Sequence, residues 1–192
     1  MIKVLIFDFD GVIVDSNKIK ADAFAKLFDS QGEEFKEKVR EFHFRHPNLN
    51  RYEKITELCR LAGISANAVV LKEMANTFSK YISENLHEIK PLNGALDFLA
   101  KHHEKRKFIV SRADKQEIIK IITNLGIDDY FVEVYGMELP KTEALFKIIR
   151  DEDVSKEEAI FFGDAESDML AANEAGVHFS LVSGSMEDIE NI

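Results

Sequence analysis

The sequence predicts an α/β fold, a Rossmann-like doubly wound parallel sheet with an inserted all-helical cap domain. Three observations predict it. An apolar run, Val4-Leu5-Ile6-Phe7, ends in Asp8-Phe9-Asp10-Gly11, which delivers two carboxylates from a buried strand to its exposed end, where ligands bind in such sheets. A stretch of about seventy residues then follows in which the hydrophobic spacing is helical throughout. From Pro91 onward strands and helices alternate, the pattern of parallel strands covered by helices on both faces.

Each element has its own signal. The first strand is the run through Phe7. Ile19, Ala23, Phe24, Leu27 and Phe28 then mark a first amphipathic helix, and Phe35, Val39 and Phe42 a second. Ile55, Leu58, Cys59 and Leu61 mark a third, and Val70, Met74, Phe78, Tyr81 and Ile82 a fourth, each with an apolar stripe at helical period. Between the second and third lies the polar segment Arg45-His46-Pro47-Asn48-Leu49-Asn50-Arg51.

Beyond Pro91, helices are predicted over 92–102, 114–125, 142–150 and 166–175, with Gly126 and Gly176 ending two of them as helix C-terminal glycines do. Strands are predicted over 107–110, 131–135, 159–162 and 178–182. The core domain is therefore expected to comprise residues 1–15 and 90–192 and the helical cap residues 16–89, with hinges at Asp15-Ser16 and Lys90-Pro91.

Composition narrows the partners. A chain of 192 residues with 45% hydrophobic and 31% charged residues buries a real core without disulfide support. Its net charge of -10 argues against nucleic acid or an anionic membrane as a partner, and an anionic substrate would need a metal ion or placed cations to reverse the local field. The one cysteine, Cys59, lies in a helical apolar pattern and reads as a small buried side chain. Val4 to Phe7 is too short for a signal or membrane segment. A cytoplasmic protein is expected, as a monomer, with a homodimer as the alternative.

The predicted strands each end in a polar residue of a definite kind. The first runs into Asp8 and Asp10, the second into Ser111, and the segment from Gly136 to Pro140 leads to Lys141; Phe161-Phe162 runs into Gly163-Asp164, with Asp168 four residues on. Carboxyl ends of parallel strands open on one edge, so these residues converge although they are distant in sequence. Four acids packed together would repel and take up protons; a hard divalent cation such as Mg2+ resolves the conflict. The set fits phosphoryl transfer. Asp8 is placed to attack phosphorus, and Asp10 to protonate the leaving oxygen and later take a proton from water. Ser111, the neighbouring backbone amides and Lys141 would hold the nonbridging oxygens, with Gly11 and Arg112 placed beside them in the same phosphate-binding set.

At these residues the chain resembles the haloacid dehalogenase superfamily, in the branch with a helical cap inserted after the first strand that includes phosphoglycolate phosphatases and β-phosphoglucomutases. Asp8-Phe9-Asp10-Gly11-Val12, Ile109-Val110-Ser111, Lys141 and Gly163-Asp164-Ala165-Glu166-Ser167-Asp168 match its four motifs in order. The resemblance implies Asp8 as nucleophile and Asp10 as general acid and base. It implies Mg2+ held by Asp8, the backbone carbonyl of Asp10 and Asp164, with Asp168 a more distant or water-mediated contact. Dehalogenases of the superfamily lack an acid at the position of Asp10, so a phosphotransferase is implied. One departure concerns Lys141, which follows Pro140 where relatives commonly have proline after the lysine; Lys147 and Lys156 are the other lysines considered.

The expected activity is hydrolysis of a small phosphomonoester, a sugar phosphate or similar compound, through an aspartyl-phosphate. The alternatives are a β-phosphoglucomutase-like hexose phosphomutase and a noncatalytic regulatory protein of the same fold. Substrate choice is expected in the cap, where Arg45, His46 and Arg51 form the densest polar and basic cluster; Arg51 lies where the mutase branch has a substrate-contacting arginine. His102 and His103 read as cations at a helix C-terminus, and His43 and His87 have no companion acid or cysteine at metal-ligand spacing.

Overall fold

The structure is a computed structural model that describes residues 1–187 and 189. Along the chain, β1 (Val4–Phe7) and the short β2 (Val14–Asp15) precede four helices, α1 (Asn17–Lys26), α2 (Glu33–Arg45), α3 (Arg51–Ala62) and α4 (Ala68–Glu84). Next come β3 (Lys90–Pro91), α5 (Ala95–Lys101), β4 (Arg106–Val110), α6 (Lys115–Leu125) and β5 (Glu133–Tyr135), then α7 (Lys141–Asp151), β6 (Ala159–Gly163), α8 (Glu166–Ala175) and β7 (His178–Leu181). The residues group into two compact units, Met1–Asp15 with Lys90–Ile192, and Ser16–Ile89.

In the first unit five strands form one parallel sheet in the order β5-β4-β1-β6-β7. The chain leaves the central β1 for β4 and β5 on one side, then crosses to β6 and β7 on the other, so the order reverses at β1, the topological position at which such sheets bind ligands. Side chains alternate across the sheet with period two. On one face Val4, Ile6, Phe108, Val110 and Phe161 pack with Ala144, Leu145 and Ile148 of α7 and Ala171, Ala172 and Ala175 of α8. On the other, Phe7 and Phe162 meet Phe98 of α5.

The boundaries follow local chemistry. Asp114 caps α6 by accepting from the N–H groups of Gln116 and Glu117, and Gly126 ends it in the left-handed conformation, the usual pairing of acidic start and glycine stop. Asn50 and Glu53 form a reciprocal capping box at the start of α3.

The second unit consists of α1 to α4, with α1 packed on α2 and α4 and α3 on α4. Its core includes Phe24, Val39, Ile55, Leu58, Phe78 and Ile82, and the rings of Phe24 and Phe78 lie 4.6 Å apart. Arg40 of α2 joins α1 by bonding Asp22 at 2.7 Å while it also holds Glu33 and Glu37.

Several local expectations are corrected. The first helix stops at Lys26, with Leu27 as its C-cap and Phe28 in the connection beyond. Leu61 is 53% exposed and lies off the buried stripe of α3. The helix expected from Leu92 begins at Ala95, because Gly94 takes a left-handed N-cap conformation and Leu92 accepts from Ala95 N–H in a turn. Residues 90 and 91 are instead spent on a two-stranded antiparallel ribbon, with Val14 opposite Pro91 and Asp15 opposite Lys90; pairing that short leaves no hydrophobic period to read. Among the described residues no helix is long and apolar enough to cross a membrane.

Candidate active site

Asp8 is the first residue past β1, and strand alternation sends its side chain to the Ile6 face, toward α7 and α8. Its N–H still donates to the Phe162 carbonyl at 2.8 Å, which keeps it in register with β6. One carboxylate oxygen accepts from Phe9 N–H at 2.7 Å and the other lies 2.8 Å from Lys141 Nζ. Burial pushes its pKa up, and the neighbouring Asp168 and Asp10 add to this while Lys141 works against it.

Lys141 opens α7 behind Pro140, the helix N-cap. Its ammonium lies between Asp8 Oδ2, at 2.8 Å, and Asp168 Oδ1, at 2.5 Å. Burial alone would favour the neutral amine, yet Asp8 and Asp168 outweigh it and hold the pKa above the ordinary lysine value. Lys147 pairs with Asp151 and Lys156 packs beside Gly176, so Lys141 is the lysine beside Asp8 despite the displaced proline.

Asp168 sits in the first turn of α8 and is fully buried. Its second oxygen accepts from Ala165 N–H at 3.2 Å. Both oxygens are therefore engaged by this chain's own donors. A Cβ at Gly163 would overlap the Asp168 side chain, so glycine at the end of β6 is what lets α8 come this close.

Asp164 follows that glycine with one side open to solvent. Its carboxyl is pushed up to about 6, first by desolvation of its inner side and then by Asp8 and Asp168. Gly11 lies against it at φ +77°, where an added Cβ would overlap the carboxylate. Asp8, Asp164 and Asp168 each present a ligand oxygen within 4.8 Å of the others. Of these, Asp8 and Asp164 offer carboxylate oxygens that fit a hard divalent cation, while both Asp168 oxygens are taken by Lys141 and Ala165 N–H.

Asp10 is half-buried on a closed turn. The Phe9 carbonyl accepts from Ile13 and Val14 N–H at 2.9 and 3.1 Å, and Gly11 N–H donates to the Val14 carbonyl at 2.9 Å. Ser111 stands past the end of β4, the neighbour of β1, and is buried; its N–H donates to the Tyr135 carbonyl and its hydroxyl accepts from Ala113 N–H at 3.2 Å. Arg112 beside it is exposed. This loop is pinned by Met137 N–H donating to the Ala113 carbonyl at 2.8 Å and by Gly136, where a Cβ would lie 2.8 Å from that carbonyl oxygen.

Arg45, His46 and Arg51 belong to the helical unit and have different partners within it. Arg45 is exposed and pairs with Glu41, and His46 packs on Phe42. Arg51 lies 4.3 Å over the Phe78 ring and donates to Ser79 Oγ at 2.9 Å. Cys59 is buried with its thiol pKa raised by desolvation. His102 is buried against Phe98 at the end of α5, where desolvation lowers its pKa. His43 is buried beside Lys54 Nζ at 3.0 Å.

Two features were not visible to sequence reasoning: the pairing of Lys141 with Asp168, and the role of Gly163 in admitting it. Nothing local in the sequence names a partner 27 residues away.

A family described as haloacid dehalogenase-like hydrolase matches residues 5–182. The phosphorylated carbohydrates phosphatase of Thermotoga maritima is 25% identical over 181 residues, which cover 91% of this chain and 82% of that protein. The phosphoglycolate phosphatase of Photobacterium profundum is 25% identical over 187 residues, 92% of this chain and 81% of the relative. Among solved structures, CbbY from Rhodobacter sphaeroides in complex with phosphate shares the fold, with a TM-score of 0.78 at 18% identity over 98% of this chain and 90% of that one.

Proposed function

This chain belongs to the haloacid dehalogenase-like hydrolase family, and from that premise we propose that it is a Mg2+-dependent phosphatase of small phosphorylated metabolites that works through a phosphorylated Asp8. The observation that carries the reading is Asp8 itself, a strand-end carboxylate held between Phe9 N–H and Lys141 Nζ within reach of Asp164.

In the first half-reaction an Asp8 oxygen attacks phosphorus, the bond to the ester oxygen breaks, and Asp10 gives that oxygen its proton. In the second, Asp10 takes a proton from water; the water oxygen attacks phosphorus, inorganic phosphate leaves, and the Asp8 carboxylate is regenerated. Lys141, the Ser111 hydroxyl and Arg112 balance the charge on the nonbridging oxygens, while Gly11, whose N–H is spent on the Val14 carbonyl, makes room for Asp164. Asp8, Asp164 and the Asp10 backbone carbonyl would hold Mg2+, with Asp168 behind them fixing Lys141. When bound, the ion supplies positive charge to the phosphoryl oxygens in a protein of net charge -10.

The leading substrate class is a sugar phosphate or phosphorylated hydroxy acid. The names of the Thermotoga and Photobacterium relatives support it. Arg51, with Arg45 and His46, would read the untransferred part of the substrate; within its own unit Arg51 stacks on Phe78. A lone buried thiol fits a reducing, cytoplasmic compartment.

The test is phosphate release from a panel of phosphorylated sugars and hydroxy acids, with and without Mg2+, by the wild type and Asp8→Asn. Metal-dependent turnover that disappears in the variant is expected. A wild-type protein inert across the panel with metal would overturn the reading, and isomer formation without free phosphate from a hexose phosphate would replace it with a phosphomutase.

A further inference from the structure

Phe7 and Phe162 face each other as the last register pair of β1 and β6. Their rings stack with centroids 5.0 Å apart and planes at 14°. Phe98 packs edge-on against both, at 6.0 and 5.3 Å, and Phe131 packs edge-on against Phe7 at 6.3 Å. Both stacked residues are fully buried. A backbone bond, Asp8 N–H to the Phe162 carbonyl at 2.8 Å, closes the same junction.

The stack adjoins the strand ends that carry the chemistry, on the sheet face opposite the Asp8 side chain. Asp8 is the next residue after Phe7, and Asp164 follows Phe162 by two positions. Their carboxylates belong to the group held within 4.8 Å, and like charges at such range repel. An aliphatic pair would fill similar space but leave the strand ends freer to twist and separate, whereas stacked rings clamped edge-on have few other low-energy arrangements.

We propose that the Phe7–Phe162 stack is a positioning element for the divalent cation: it holds the ends of β1 and β6 so that Asp8 and Asp164 stay at the separation one ion requires. This rests on the reading of those two acids as metal ligands. Residues that orient metal ligands without touching the ion have measurable effects on affinity.

The experiment measures Mg2+ binding to the full chain by titration calorimetry and Mn2+ binding by loss of the free-ion electron paramagnetic resonance signal. It compares the wild type with Phe7→Leu, Phe162→Leu and the double variant. Phe108→Leu, a buried phenylalanine on the opposite sheet face, controls for general loss of packing. Each single variant is expected to weaken binding about tenfold, and the double variant by about the same factor, because the stack acts as one unit. Phe108→Leu should lower thermal stability comparably but change affinity by less than about twofold. If Phe162→Leu fails to fold, Phe162→Met carries the same expectation.

Unchanged affinity in the stack variants, or an equal loss in Phe108→Leu, would overturn the proposal alone, provided that the wild type binds metal and Asp164→Asn does not. A wild type that binds neither ion, or an Asp164→Asn protein that binds as the wild type does, would overturn the metal reading and this inference with it.

Discussion

Lys141 and Asp168 form a buried ion pair at 2.5 Å, and the same ammonium reaches Asp8 at 2.8 Å. One ammonium is thus shared by two carboxylates, and removing it leaves both without their cation.

Lys141→Met should therefore destabilise the metal-free protein by about 3 kcal/mol near pH 7.5, the scale for breaking a buried pair. The loss should shrink toward pH 5. Burial already pushes the Asp8 pKa up and Lys141 works against it, so without the ammonium Asp8 binds a proton still more readily folded than unfolded, and the stability it contributes is present at low pH and lost as pH rises. Urea denaturation at the two pH values checks this; equal midpoint shifts at both would contradict it. Turnover should vanish at either pH.

Gly11→Ala is expected to damage the site out of proportion to its size. The added methyl would overlap the Asp164 carboxylate, and the φ of +77° disfavours any side chain. A stability loss of roughly 1–2 kcal/mol is expected from the backbone conformation alone, together with a raised Mg2+ requirement. Thermal melts with and without metal measure both, and a variant with wild-type metal dependence would show that Asp164 need not stay where it is.

Asp164 should make metal-free stability fall with rising pH. Its folded pKa of about 6 lies above the ordinary aspartate value, so the folded protein holds a proton in the window between them that the unfolded chain has released. Its contribution is complete below the unfolded pKa and disappears as pH rises through about 6. Asp164→Asn should accordingly gain stability over the wild type on going from pH 5 to 7.5. The gain is about 1 kcal/mol, reduced by solvent screening on the open side. Mg2+ should raise the wild-type melting temperature more at the higher pH. Parallel pH profiles for the two proteins would count against the shifted carboxyl.

Asp10→Asn should slow both half-reactions, by about 100-fold or more, the usual scale for general acid–base catalysis. Rapid-quench experiments with a substrate that has a good leaving group should show labelled protein accumulating, because such a leaving group needs no proton while the attacking water still needs a base. Absence of label in a variant that still turns over would argue against phosphorylation of Asp8.

The strand-end residues were readable because their signals are local. An apolar run into Asp8 and Asp10, and another into Gly163 and Asp164, state both the strand and what stands at its end. The parallel sheet followed from the alternation of helix and strand. Leu61 was misread because one apolar residue at helical spacing does not reveal whether a partner helix covers it, and the start of α5 was misread because a left-handed Gly94 carries no hydrophobic period.

By itself, then, the sequence determined the element types, the parallel sheet, the helical segment between its first two strands, and the kinds of side chain at the strand ends. All of these depend on patterns with periods of two or 3.6 residues. Only the tertiary structure decided that Lys141 is shared by Asp8 and Asp168, that Gly11 and Gly163 are the gaps into which acids fit, and that Phe7 stacks on Phe162. Those are choices of partner across distant parts of the chain. They depend on strand register and helix packing, which no local period encodes.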